Sequence, residues 1–154
     1  DEIARDFIAR ITREFNSGDQ LVLGVDLKKP GSIVLPAYND SRGVTARFNL
    51  NLLTRINREL GGNFNTDSFM HSPEYDEAEG IARSYLTSTS EQKVRIKTLN
   101  KTFHFDKGER ILMEVSRKYD DRVVRKLIAD TELIIAQSLT DKRNYFCDYI
   151  LVHN

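Results

Sequence analysis

A chain of 154 residues, 40% hydrophobic and 30% charged, is long enough to bury one core of ordinary size and too apolar to stay disordered. Its 23 basic residues balance 23 acidic ones, so the basic face that a nucleic-acid partner needs is missing. No run approaches the roughly 18 apolar residues of a membrane span, and no secretory leader pattern opens the sequence.

Ile3, Phe7, Ile8, Ile11 and Phe15 recur at helical spacing and predict an amphipathic helix over residues 1–16. The chain starts with Asp inside this pattern, which predicts a piece of a longer protein. Asn16 to Asp19 end the helix, with Gly18 suited to the position after its last turn. Gln20 to Leu27 is a nearly continuous apolar run closed by Lys28-Lys29-Pro30, the pattern of a strand buried on both faces in a parallel sheet. A helix feeding such a strand predicts an αβ unit of a doubly wound fold. A short helix is expected over 32–40 despite Pro36. Val44, Phe48, Leu52, Leu53, Ile56 and Leu60 predict the clearest helix, 44–60, stopped by Gly61-Gly62. Arg47, Asn51, Arg55 and Arg58 mostly read as its solvated face, and Asn49 and Asn51 as structural or solvated positions, with polar contacts near an active site as the alternative.

Past residue 66 the pattern shortens to period two. Segments 68–76, 79–88, 91–98, 101–106 and 110–118 read as strands of one antiparallel meander, separated by turn signals such as Asp106-Lys107-Gly108. The Thr/Ser run at 87–90 and the acidic group Glu74, Asp76, Glu77 and Glu79 read as hairpin tips. A helix over 120–130 and strands over 132–139 and 145–152 close the chain.

Cys147 is the single cysteine, so no internal disulfide forms and a reducing, cytoplasmic location is the simplest expectation. It falls in a predicted buried strand and reads as structural. His71, His104 and His153 are scattered, which predicts no dedicated metal site; His71 and His104 read as surface or satisfied strand residues. A cofactor-binding α/β domain places a glycine-rich loop after its first strand, and none follows Leu27. No nucleophile–base arrangement stands out either, so no residue is assigned to catalysis or to cofactor binding. The most informative pair is Glu114 and Ser116. In a strand they lie on one side, roughly 7 Å apart. A carboxylate accepts from one ring N–H and a hydroxyl meets a second ring nitrogen, so the pair suits a small ring with two polar nitrogens, such as imidazole.

Three segments, GDQLVLGVDLKK (18–29), PAYNDSRGVTARFNLNLLTRINRELGGNFNTDSF (36–69) and FDKGERILMEVSRKY (105–119), together resemble the C-terminal half of the histidine-specific, S-adenosylmethionine-dependent N-methyltransferases. That family makes the trimethylated histidine from which ergothioneine is built. The resemblance implies an α/β fold. Residues 1–65 and 119–154 would form the C-terminal half of a class I, Rossmann-like methyltransferase sheet, and residues 66–118 an antiparallel β-rich substrate-binding subdomain. It implies S-adenosylmethionine as cofactor, with its main binding motifs outside this chain, and a small amino acid as partner. Tyr38, in PAYND, matches the tyrosine that helps hold the substrate's α-carboxylate end. Glu114 and Ser116, in MEVS, match the pair that bonds the imidazole. Ser84 falls where the family usually has a methionine beside the ring, which leaves room for another amine substrate. Retention of Glu114 and Ser116 argues against the tryptophan derivative that related fungal enzymes methylate. The chain by itself is expected to be inactive, with the exposed edge of strand 20–27 covered by a dimer partner or an exchanged element. The alternatives are a non-catalytic binding or interaction module and an N-methyltransferase for a different amine.

Overall fold

The structure, a computed structural model, describes residues 2–154. In chain order its elements are α1 (Glu2–Ile11), β1 (Gln20–Asp26), α2 (Gly31–Tyr38), α3 (Val44–Leu60), β2 (Phe69–Asp76), β3 (Ile81–Ser88), β4 (Gln92–Ile96), β5 (Lys101–Phe105), β6 (Arg110–Arg117), α4 (Asp121–Leu127), β7 (Leu133–Thr140) and β8 (Phe146–His153). Short 3-10 turns follow α1 at Thr12–Glu14 and precede β2 at Thr66–Ser68. They divide into two compact units. One joins the residues up to Lys29 with Arg117–Asn154, and the other is Pro30–Ser116. Residues 30–65, grouped by the sequence reading with the first helix and strand, pack in the second unit.

In the first unit β8 lies between β1 and β7 and runs antiparallel to both, so the two flanking strands are parallel to each other without touching. This changes the expectation for β1, whose ladder partner is antiparallel. Its burial also alternates, with Val25 enclosed and Val22 60% exposed. A continuous apolar run records hydrophobicity, and only the neighbouring elements decide whether one face or both are covered. The covered face carries Val25, Cys147, Tyr149 and Leu151, packed with Ile8 of α1 and with Val124, Leu127 and Ile128. Helix α1 departs from its predicted stripe. Ala4, Ile8 and Thr12 face inward, whereas Ile3 and Phe7 stand exposed. Thr12 closes the helix by donating its hydroxyl to the Ile8 carbonyl at 2.9 Å, which draws the 4–8–12 row onto the sheet.

The second unit is not a single meander. β2, β3 and β6 form one sheet, while β4 and β5 pair as a separate hairpin. The chain leaves β3, makes the hairpin and returns beside β3 as β6. Bonds from the Ser88 amide to the Glu109 carbonyl and from the Gly108 amide to the Ser88 carbonyl close the return, both at 2.8 Å. The hairpin brings Val94 and Ile96 over the same core as Leu53, Phe64, Phe69 and Leu86. Period-two patterning gives strands but not their neighbours, and so it could not separate a meander from this excursion.

Helix α3 runs between two glycines in the left-handed region, Gly43 at φ 65° and Gly61 at φ 62°. A side chain at either would be strained, so these positions fix both ends. Past the helix, Asn57 mimics a backbone pair. Its side-chain amide donates to the Phe64 carbonyl at 2.8 Å and its oxygen accepts from the Phe64 amide at 2.7 Å. Phe64 is thereby set against Phe69 and Phe105, with ring centroids 5.8 and 6.0 Å away.

Candidate substrate-binding site

The second unit holds a cleft of about 310 Å³ between α3 and β6, lined by Phe48, Asn49, Asn51, Leu52, Arg55, Met113 and Glu114. Apolar walls with a few convergent polar groups are the usual make-up of a small-molecule site. Glu114 is exposed to this cleft, and among the described residues no hydrogen bond or ion pair engages its carboxylate. Arg55 does not neutralise it. Its guanidinium bonds both carboxylate oxygens of Glu59, at 3.2 and 3.1 Å. Those bonds, helped by Arg58, pull the Glu59 carboxyl down to about 2 and raise the Arg55 guanidinium. Glu114 therefore remains as an acceptor facing whatever enters.

Tyr38 is the last residue of α2 and is half-buried. The turn behind it is firmly built. Asp40 accepts from the amides of Thr45 at 2.8 Å and Val44 at 2.9 Å, the first free N–H groups of α3. These bonds hold the Asp40 carboxyl at about 2. The two helices are thus joined at a fixed elbow.

Asn49 and His71 link that elbow to the cleft. The imidazole Nε2 of His71 donates to the Tyr38 carbonyl at 2.8 Å, and Nδ1 accepts from the Asn49 side-chain amide at 3.2 Å. A carbonyl only accepts, so Nε2 carries the proton of this bond. Asn49, only 4% exposed, also lines the cleft. One ring therefore ties the end of α2 to the wall that faces Glu114.

Of the four residues singled out from the sequence, Glu114 lines the cleft and Tyr38 is joined to it through His71 and Asn49. Ser116 follows two positions along β6 and is half-buried. Ser84 stands apart. It is fully enclosed on β3 opposite Pro73, its hydroxyl has no hydrogen-bond partner among the described residues, and it does not line the cleft. His71 is a satisfied strand residue, as one of its two expected readings had it, and Asn49 is buried. A signal for both was present. Asn49 precedes Leu53 by one helical turn, and His71 shares a strand face with Phe69, so each is a polar residue at a core position.

The resemblance implies a sulfonium cofactor. Ligands of α/β sheets gather at the carboxyl ends of strands. At that end of β1, Lys29 and Lys118 meet Asp26 and Lys28 meets Asp120, so the charges there pair among themselves. No residue here is assigned to holding it.

Relatives share the chain's sequence along most of its length. It is 37% identical over 140 residues to a histidine N-alpha-methyltransferase of Mycobacterium tuberculosis, covering 91% of this chain and 44% of that protein. A protein of the same name from Mycolicibacterium smegmatis is 34% identical, over 92% of this chain and 44% of its own length. Ergothioneine biosynthesis protein 1 of Schizosaccharomyces pombe is 29% identical over 126 residues, which is 81% of this chain and 16% of that protein. The chain thus spans less than half the length of these relatives. The family model for S-adenosylmethionine-dependent, histidine-specific methyltransferases matches residues 1–153, and the chain belongs to that family.

Proposed function

We propose that this chain carries the substrate-recognition part of a methyltransferase that uses S-adenosylmethionine and acts on the α-amine of histidine or a related amino acid. The observation that carries the reading is the cleft in which the Glu114 carboxylate stands free beside Asn49 and Asn51. Glu114 accepts from one imidazole N–H, Ser116 meets the other nitrogen, and Tyr38 takes the α-carboxylate end. These residues bind and orient, so that the amine is held in one place and one direction; most of their contribution to rate is positioning. The sulfonium cofactor is held by parts of the complete protein beyond the match, and this chain alone transfers nothing. Pro30–Ser116 then acts as the substrate-binding unit, and the three-stranded sheet of the other unit belongs to the methyltransferase domain. A small amino acid is the partner, and the setting is the cytoplasm, consistent with one buried thiol, Cys147.

The test is Glu114→Ala in the complete protein. Histidine binding should weaken by about 1.5–3 kcal/mol, the loss of a charge-assisted hydrogen bond, with the affinity for the sulfonium cofactor unchanged. Calorimetry showing equal histidine affinity would refute the role. The alternative, a different amine, rests on Ser84 standing at the position where the family usually has a methionine. Turnover with histidine, its methylated forms and aromatic amino acids separates that reading from the first.

A further inference from the structure

The last carbonyls of a helix have no partner inside it. At the end of α2 the Tyr38 carbonyl finds one 33 positions away, in the His71 imidazole on β2. The other ring nitrogen is taken by Asn49, on α3. Three elements therefore meet at a single ring with two unlike ends, one donating and one accepting. Asn49 occupies a position where an aliphatic side chain would pack at lower cost, because a buried amide must be matched or it destabilises. A matched polar pair in a core defines geometry more narrowly than apolar contact does.

We infer that His71, bonded on its other side by Asn49, is a positioning residue that sets the end of α2 carrying Tyr38 at a fixed distance from the α3 face lining the Glu114 cleft. The inference rests on the substrate reading proposed above and adds to it the device that holds the two ends of the site in register. Without the imidazole, the helix end keeps its Asp40 elbow and its packing on β2 but loses this bond, and Tyr38 shifts relative to Glu114. An amino acid gripped at both ends is sensitive to that shift, whereas the sulfonium cofactor, held elsewhere, is not.

The experiment uses the complete protein and four variants: His71→Ala, His71→Gln, Asn49→Leu and Glu114→Gln. Initial rates give KM for histidine and for S-adenosylmethionine separately, and thermal unfolding reports folding. His71→Ala and Asn49→Leu should each raise the histidine KM about tenfold, the size expected of one buried hydrogen bond, and leave the cofactor KM unchanged. His71→Gln should restore most of the loss, since its amide can donate to the Tyr38 carbonyl and accept from Asn49. A folded His71→Ala or Asn49→Leu protein with normal histidine KM overturns the inference. So does an equal rise in both KM values, which is what general loosening of the fold would give. If His71→Ala does not fold, Asn49→Leu and His71→Gln decide by the same criteria. Glu114→Gln separates the two ideas. A normal histidine KM there defeats the site assignment itself, while a raised one beside normal Asn49→Leu and His71→Ala values defeats the positioning role alone.

Discussion

Asp26 accepts from two lysines at once. Lys118 reaches it at 2.8 Å and is itself 5% exposed, while Lys29 adds bonds to the Leu27 and Tyr145 carbonyls at 3.0 and 2.9 Å. Partial burial raises the Asp26 carboxyl, but the bonds from Lys118 and Lys29 outweigh it, and the net shift is downward from 3.8. A lowered folded value means that the clasp stabilises fully above the ordinary carboxylate range. That stability is lost as pH falls below 3.8 toward the lower folded value. Asp26→Asn should therefore destabilise at neutral pH by about 1–3 kcal/mol, because the two lysines lose their shared counter-charge and one of its two acceptor oxygens. The gap between wild type and variant should narrow as the pH falls. Urea unfolding at neutral pH and below pH 4 measures it, and a gap that stays constant or widens in acid refutes the clasp. None of this is visible in the sequence, where Asp26, Lys29 and Lys118 look like ordinary polar residues at strand ends. The pairing depends on a chain return 92 residues later.

Elements were more legible than residues. Helix α3 lies where its apolar stripe and its two closing glycines predict, and β1 falls within its apolar run, because both signals are local. What the period does not contain is the partner. Ile3 and Phe7 fit a helix face, yet the face that packs holds Ala4 and Ile8, since the sheet below selects one row among several. The β4–β5 hairpin has clean alternation, but the jump from β3 to β6 across it is a fact of hydrogen bonding at Ser88. The site follows the same division. Glu114 and Ser116 were legible as neighbours on one strand, while the link from Tyr38 to Asn49 through His71 needed three elements in place. The junction after α3 offers a test at this scale. Asn57 holds Phe64 by two bonds, and Phe64 anchors the ring cluster with Phe69 and Phe105. Asn57→Ala frees a partly buried amide and carbonyl together, so it should cost about 2–4 kcal/mol, twice the penalty for one unsatisfied group at the low end. Replacing it by Asp, which keeps the acceptor and loses the donor, should cost less. Equal losses in chemical denaturation would show that the Asn57 acceptor contributes nothing.

At the scale of the molecule, the two edges of the first unit's sheet differ in a way that predicts how copies of the chain meet. β7 carries an irregularity in its pairing with β8 between Ile135 and Gln137, and such a bulge spoils an edge for further pairing. β1 has no such break over its register from Gln20 to Asp26. Among the described residues its free side is bonded only at the end, where the Tyr119 amide bonds the Asp26 carbonyl at 2.8 Å and the Lys28 amide bonds the Tyr119 carbonyl at 2.8 Å. From Gln20 to Val25 the edge carries no charge and no proline, and Val22 is 60% exposed. Native sheets guard their edges with charges, prolines or bulges, and this stretch has none of them. The expected outcome for this chain in isolation is a dimer joined edge to edge through β1, each copy supplying the same strand. Light scattering should give twice the chain mass, falling toward a monomer on dilution. Val22→Lys puts a charge on the edge strand without touching the covered face, and should shift the equilibrium to monomer with little change in unfolding temperature. A chain that stays monomeric at high concentration, or a dimer that Val22→Lys leaves intact, would rule out this edge as the contact.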